Sequence, residues 1–184
     1  MVSNAKMADL LLHHAHDHKP RLGIIHNVFD SKQYLDLCSQ HVEIDGKQLP
    51  HKYFEDKRDI AIGLSTDGFA PFKRRTKTAW PLIAILYNLP PEFHSKLEYV
   101  LGLGVIPGPQ KPEDFDSFLW PFVKEMLRLA IGVHAYDILS DDFFALRAFL
   151  ILVFGDIPAI SMIMHMKGHN RLVPCRMCTI RGIC

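Results

Sequence analysis

Two short apolar runs, each closed by an aspartate beside a glycine, limit the possible folds of this chain more than any other feature. Ile60, Ala61, Ile62, Gly63 and Leu64 lead into Ser65-Thr66-Asp67-Gly68, and Phe149 to Phe154 leads into Gly155-Asp156. Uncharged runs of this length, bounded by turn residues, suit strands buried on both faces. If the two strands are parallel neighbours they lie about 4.8 Å apart and need a crossover connection between them, usually helical. The intervening sequence supplies a helix. Phe115, Phe118, Leu119, Phe122, Met126, Leu129 and Ala130 recur at three- and four-residue intervals, and Asp114, Asp116 and Ser117 offer capping groups at its start. Pro121 is acceptable there only in the first turn.

Further strands are expected over Thr78 to Leu89 and Leu97 to Ile106, the latter closed by Pro107-Gly108-Pro109. A second helix is expected over Ser140 to Arg147, and a third opens at Pro158 and continues to Gly168. The order strand, strand, strand, helix, strand, helix is that of an α/β domain with a mixed sheet and flanking helices. Residues 1–58 are more polar and form an arm or lead-in before a domain over 59–184. Within the arm, a helix over Ser31 to Cys38 and a hairpin over Val42 to Leu49, turning at Asp45-Gly46, are plausible beside an irregular course. The run His13, His14, His16, His18 reads as exposed and unstructured, with adventitious metal binding as its alternative. Trp80 and Trp120 sit inside apolar runs and read as core aromatics.

With 184 residues, 48% hydrophobic and 22% charged, the chain has the composition of a folded domain rather than a disordered one. A net charge of +1 gives no long-range field toward a polyanion, so any nucleic-acid contact rests on local patches. The four cysteines, Cys38, Cys175, Cys178 and Cys184, and the lack of a leader pattern suggest a reducing, intracellular setting. The longest apolar stretch falls far short of the roughly 20 residues of a bilayer-spanning helix, so no membrane segment is expected.

Asp67 and Asp156 are distant in sequence, yet neighbouring strand ends would bring their carboxylates together. Two close carboxylates repel unless one is protonated or a cation lies between them. Hard oxygen donors suit Mg²⁺ or Mn²⁺, and two-metal sites of this kind serve phosphodiester chemistry. The alternative is that each aspartate caps a turn or a helix, as Asp67-Gly68 and Asp156-Ile157-Pro158 both permit.

The segments Asp59-Ile-Ala-Ile-Gly-Leu-Ser-Thr-Asp-Gly-Phe-Ala-Pro-Phe72, Leu103-Gly-Val-Ile-Pro-Gly-Pro109, Phe154-Gly-Asp-Ile-Pro-Ala159, Met166-Lys-Gly-His-Asn170 and Pro174-Cys-Arg-Met-Cys178 resemble the transposase domain of CACTA (En/Spm-like) elements, in order over most of residues 51–184. The resemblance implies a ribonuclease H-like fold, here cut off after the fourth strand and its following helix. It also implies catalytic acids that bind divalent metal, cleavage at transposon ends and joining of the freed 3′ hydroxyl to target DNA. Asp67 matches the first acid and Asp156 the second, and the third is expected on a helix beyond Cys184. Location in the nucleus and assembly as a homo-oligomer are further expectations. A catalytically inactive relic or adapted DNA- or protein-binding module, and a ribonuclease H-like nuclease, are the alternative functions.

Cys175 and Cys178 have the spacing of half a zinc site, which His165 and His169, four apart on an expected helix face, could complete, as could Cys184 or residues beyond it. The cysteine pair that follows the second acid in the resembling family favours zinc over two reduced thiols in a loop. Lys73, Arg74, Arg75 and Lys77, with Lys167, Arg171, Arg176 and Arg181, could contact DNA phosphates, although solvated turns use such runs too. A sheet ending after four strands leaves an open edge, and partial exposure of apolar surface is expected.

Overall fold

The structure, a computed structural model, describes residues 3–21, 23–70, 78–108 and 114–166. Its elements are α1 (Ala5–Leu11), α2 (His13–His16), α3 (Lys32–Cys38), β1 (His41–Ile44), β2 (Lys47–Lys52), β3 (Ile60–Thr66), β4 (Ala79–Leu86), β5 (Leu101–Pro107), α4 (Asp116–Ile131), β6 (Val133–Asp137), β7 (Asp142–Leu146), β8 (Ala148–Phe154) and α5 (Ile157–Ile163). Contacts group the described residues into two units. One draws on Met1–Gly63, Ile85–Val100 and Val123–Ile151, the other on Leu64–Ala84, Leu101–Phe122 and Leu152–Cys184, and β3, β4 and β8 contribute residues to both.

Four strands form one sheet in the order β5-β4-β3-β8. β4 and β5 are antiparallel, with Trp80 opposite Ile106 and Leu82 opposite Gly104. β3 and β4 are antiparallel too: Tyr87 N–H donates to the Ala61 carbonyl near one end, and Phe69 and Ala79 bridge just past the other. β8 runs parallel to β3, because their starts meet where Ile60 N–H donates to Arg147 O (2.9 Å), and their ends meet where Gly155 abuts the Thr66 carbonyl. The three strands, the crossover helix and the parallel fourth strand are therefore where the sequence pattern puts them. β3 is covered on both sides, with every residue but Ser65 buried.

In the first unit, the buried Asn88 side chain accepts from Ala61 N–H (2.7 Å) and donates to Asp59 O (2.9 Å), fastening the start of β3. The Arg58 guanidinium makes two bonds to Asp56 and one to Asp137, and lies 4.0 Å over the Phe144 ring. Phe149 of β8 packs edge-on against Tyr53 and Phe54, and Phe54 meets Tyr34. The hairpin β1–β2 turns at Asp45 (φ 51°) and Gly46 (φ 73°), the left-handed pair that a two-residue loop of the strand-matching type needs. Helix α3 follows its Ser31 cap, whose hydroxyl accepts from Tyr34 N–H. In the second unit Leu82, Ile106, Phe115 and Met162 form a buried cluster, flanked by Trp80, Leu119 and Ile163.

Six expectations need correction. The strand expected from Leu97 begins at Leu101, residues 97–100 lying in turns. The helix expected to continue to Gly168 ends at Ile163, where the chain turns off at Met164 and His165 takes a positive φ of 51°. Residues Ser140 to Arg147 are not a helix: β7 pairs antiparallel with β6, from Asp137 opposite Asp142 to Val133 opposite Leu146. Aromatic Tyr136, Phe143 and Phe144 favour strand here, and the Asp137 carboxylate accepts from Leu139 N–H and Ser140 Oγ to hold the turn. Pro121 lies beyond the first turn of α4. Pro121 and Ser117 are both exposed, so water can satisfy the Ser117 carbonyl that the missing N–H leaves free. Trp120 is 57% exposed rather than in the core, because it falls on the side of α4 away from Phe115 and Leu119. His13, His14 and His16 of the histidine run are helical, and His14 stacks on Phe29 at 3.4 Å between ring centres. Burial, reinforced by His18, lowers the His14 pKa to about 4.

The expected exposure of apolar surface is found on the edge strand β8, at Leu150 and Leu152, and on α4. No helix among the described residues is long and apolar enough to cross a membrane.

Asn88→Ala leaves Ala61 N–H and Asp59 O without partners, and is expected to cost about 2 to 3 kcal/mol in denaturant unfolding. Burial raises the Asp59 pKa to about 6, against the opposing effect of the Asp56 backbone N–H and Arg147. A folded-state pKa above the unfolded one favours folding fully below about pH 4, and that contribution is lost as pH rises through 6. Asp59→Asn should therefore gain stability relative to the parent between pH 4 and pH 7, measured as the difference in thermal midpoints. A difference that stays constant with pH contradicts this.

Candidate metal centre at the paired strand ends

The parallel pairing of β3 with β8 decides where the two sequence-derived acids go. Asp67 is the residue after the last of β3, and Asp156 the second after the last of β8. The strand ends are in direct contact: a Cβ at Gly155 would stand 2.6 Å from the Thr66 carbonyl oxygen. No side chain fits between them at that distance. Glycine lets the chain leaving β8 press against the end of β3, so the segments bearing the two carboxylates start side by side.

Both aspartates are exposed. None of the ion pairs among the described residues involves either one. Asp156 is the N-cap of α5, its Oδ1 accepting from Ala159 N–H at 2.7 Å. The capping role weighed from sequence is thus real for Asp156. It engages one carboxylate oxygen and fixes the side-chain rotamer, leaving Oδ2 for another partner.

The donor set fits a hard divalent cation, since both groups offer oxygen alone. Among the described residues no group of three or more His, Cys, Asp or Glu is placed to hold a metal. Mg²⁺ sites commonly use only one or two carboxylates and retain waters. His165, considered as a zinc ligand, is paired with Asp116 (Nε2 to Oδ2, 3.0 Å), joining the end of α5 to the start of α4. His169, Cys175, Cys178 and the basic residues Lys73, Arg74, Arg75, Lys77, Lys167 and Arg171 lie outside the described residues.

Sequence reasoning missed how the site is shaped. Gly68 and Gly155 stand next to the acids, and at both a Cβ would collide with a neighbour: the Trp80 indole at Gly68 and the Thr66 carbonyl at Gly155. The adjacency of glycine and aspartate was visible, but it read only as turn chemistry.

The family described as Transposase family tnp2 matches residues 38–183. No curated protein and no solved structure matches the chain.

Gly155→Ala must push the β3 and β8 ends apart, because the obstacle is backbone. A loss of about 1 to 3 kcal/mol is expected, against little change for Gly102→Ala, where space is open. Equal thermal midpoints for the two variants contradict the close approach.

Proposed function

Because the chain belongs to the transposase family tnp2, we propose that it carries part of a metal-dependent phosphoryl-transfer site acting on DNA, in which Asp67 and Asp156 are the metal-ligating acids. Family membership implies interaction with DNA. The observation that carries the site assignment is the contact of the parallel β3 and β8 ends, which starts two exposed carboxylates from one place. Three antiparallel strands, a crossover helix and a parallel fourth strand, with acids after the first and fourth, favour a ribonuclease H-like arrangement. On the resemblance of its motifs, the chain is a CACTA-type transposase that works in the nucleus on transposon ends and target DNA. Zinc at Cys175 and Cys178 belongs to the same proposal.

Bound between the acids, Mg²⁺ or Mn²⁺ would supply the charge that stabilises the attacking and leaving oxygens at a phosphate. The residues' own work is geometric. Asp156 is locked by its hydrogen bond to Ala159 N–H, so one oxygen is presented without rotamer freedom. Asp67 leaves a strand whose other residues are almost all buried, so its backbone cannot yield when the carboxylate is loaded. The resemblance implies a third acid that would complete the set.

The rival, a DNA- or protein-binding module without turnover, rests on the cap: Asp156 has a structural task whether or not it meets a metal. Asp156→Asn separates the two, because asparagine caps a helix as well as aspartate but brings no charge. In a protein that includes the third acid, Mn²⁺-dependent nicking of transposon-end DNA should fall by a factor of about 100 or more in Asp67→Ala and in Asp156→Asn, with the fold retained. Nicking by both variants at the parental rate removes these acids from the mechanism, and no nicking by the parent leaves the binding module.

A further inference from the structure

Asp67 and Gly68 occupy a gap between two regular pairings. β3 ends at Thr66, and Phe69 resumes with the Ala79 bridge, Phe69 N–H donating to Ala79 O (3.0 Å) and Ala79 N–H to Phe69 O (2.9 Å). One residue back from Phe69 is Gly68, and one residue on from Ala79 is Trp80, so the two face each other across the pair. The indole fills the place of the absent side chain: a Cβ at Gly68 would lie 2.7 to 2.8 Å from Trp80 Cζ2, Cε2 and Cη2.

Trp80 is itself held firmly. It pairs with Ile106 across β4 and β5 and packs against the cluster of Leu82, Ile106, Phe115 and Met162. Its Nε1 is buried with no acceptor among the described residues. A buried donor without a partner is destabilising, so core packing alone does not account for an indole here. The six-membered ring does, because the atoms occupying the place of a Gly68 side chain, Cζ2, Cη2 and Cε2, all belong to it. A smaller aromatic or aliphatic residue would stop short of the turn.

We propose that Trp80 and Gly68 are positioning residues for Asp67: the indole is a fixed wall against which the Asp67-Gly68 step is set, and so determines where the Asp67 carboxylate is presented beside Asp156. This rests on the metal-ligating role of Asp67 given above. Neither residue touches the metal. Metal affinity depends on them because a carboxylate displaced from its partner cannot share an ion with it.

The test is a titration of the full chain with Mn²⁺ alone, free Mn²⁺ being read by electron paramagnetic resonance, with a thermal midpoint for each variant. Asp67→Ala should abolish the binding that the parent shows. Gly68→Ala should weaken it about tenfold or more, and Gly102→Ala should not. If Gly68→Ala does not fold, Trp80→Leu alone decides, since it keeps the glycine, removes the wall and should lose affinity by the same factor. Parental affinity in Gly68→Ala, or in Trp80→Leu, overturns the positioning role while leaving Asp67 a ligand. Equal binding by the parent and Asp67→Ala removes the metal assignment, and the positioning role with it.

Discussion

The candidate site depends on one pairing, that of β3 with β8 in parallel. Parallel neighbours place like ends together, so whatever follows each strand leaves from the same edge of the sheet. At the starting end the register is set by Ile60 N–H on the Arg147 carbonyl. At the finishing end it is set by the contact of Gly155 with Thr66. Were β8 antiparallel, or shifted by one residue, Asp156 would leave from the far edge or its strand would present the opposite face. Covering β3 on both faces makes such a slip costly, since Ala61, Ile62 and Leu64 have no exposed alternative.

Asp156 has a structural duty that is compatible with the chemical one proposed for it. The cap uses Oδ1, fixes the rotamer and starts α5, whose Ala159, Ile160 and Met162 are buried. An acid fixed in this way loses little further freedom when it takes a ligand. Asp67 is fixed by other means, through the strand behind it, the Phe69–Ala79 bridge ahead and the indole beneath its neighbour.

The sheet was largely legible in the sequence because its strands carry unbroken apolar runs with acids, glycines and prolines at their ends. Residues 60–66 and 148–154 could be placed on pattern alone, as could α4, whereas the Asp45-Gly46 hairpin stood beside an irregular course as an equal reading. Ser140 to Arg147 was not legible as strand. Its apolar residues Phe143, Phe144, Ala145 and Leu146 are consecutive, and only pairing with Val133 to Asp137 decides between the two periods. The histidine run looked polar because its partners, Phe29, Tyr34 and Asp30, lie further along the chain. At the paired strand ends, the sequence placed Asp67 and Asp156 just past two strands, but not the Trp80 wall or the Gly155 contact, which exist only across strands. The family match over residues 38–183 agrees with the transposase resemblance carried by the same motifs.

The most direct measurement of the central claim is paramagnetic broadening in a ¹H–¹⁵N spectrum of the chain at substoichiometric Mn²⁺. If the two acids share an ion, the amides of Gly68 and Ile157, which follow them in sequence, must lose intensity in parallel. Those of Ala61 and Ala148, at the other end of the same strands, must persist. Loss at only one of the first two, or equal loss at both ends of the sheet, contradicts a shared metal centre at the β3 and β8 ends.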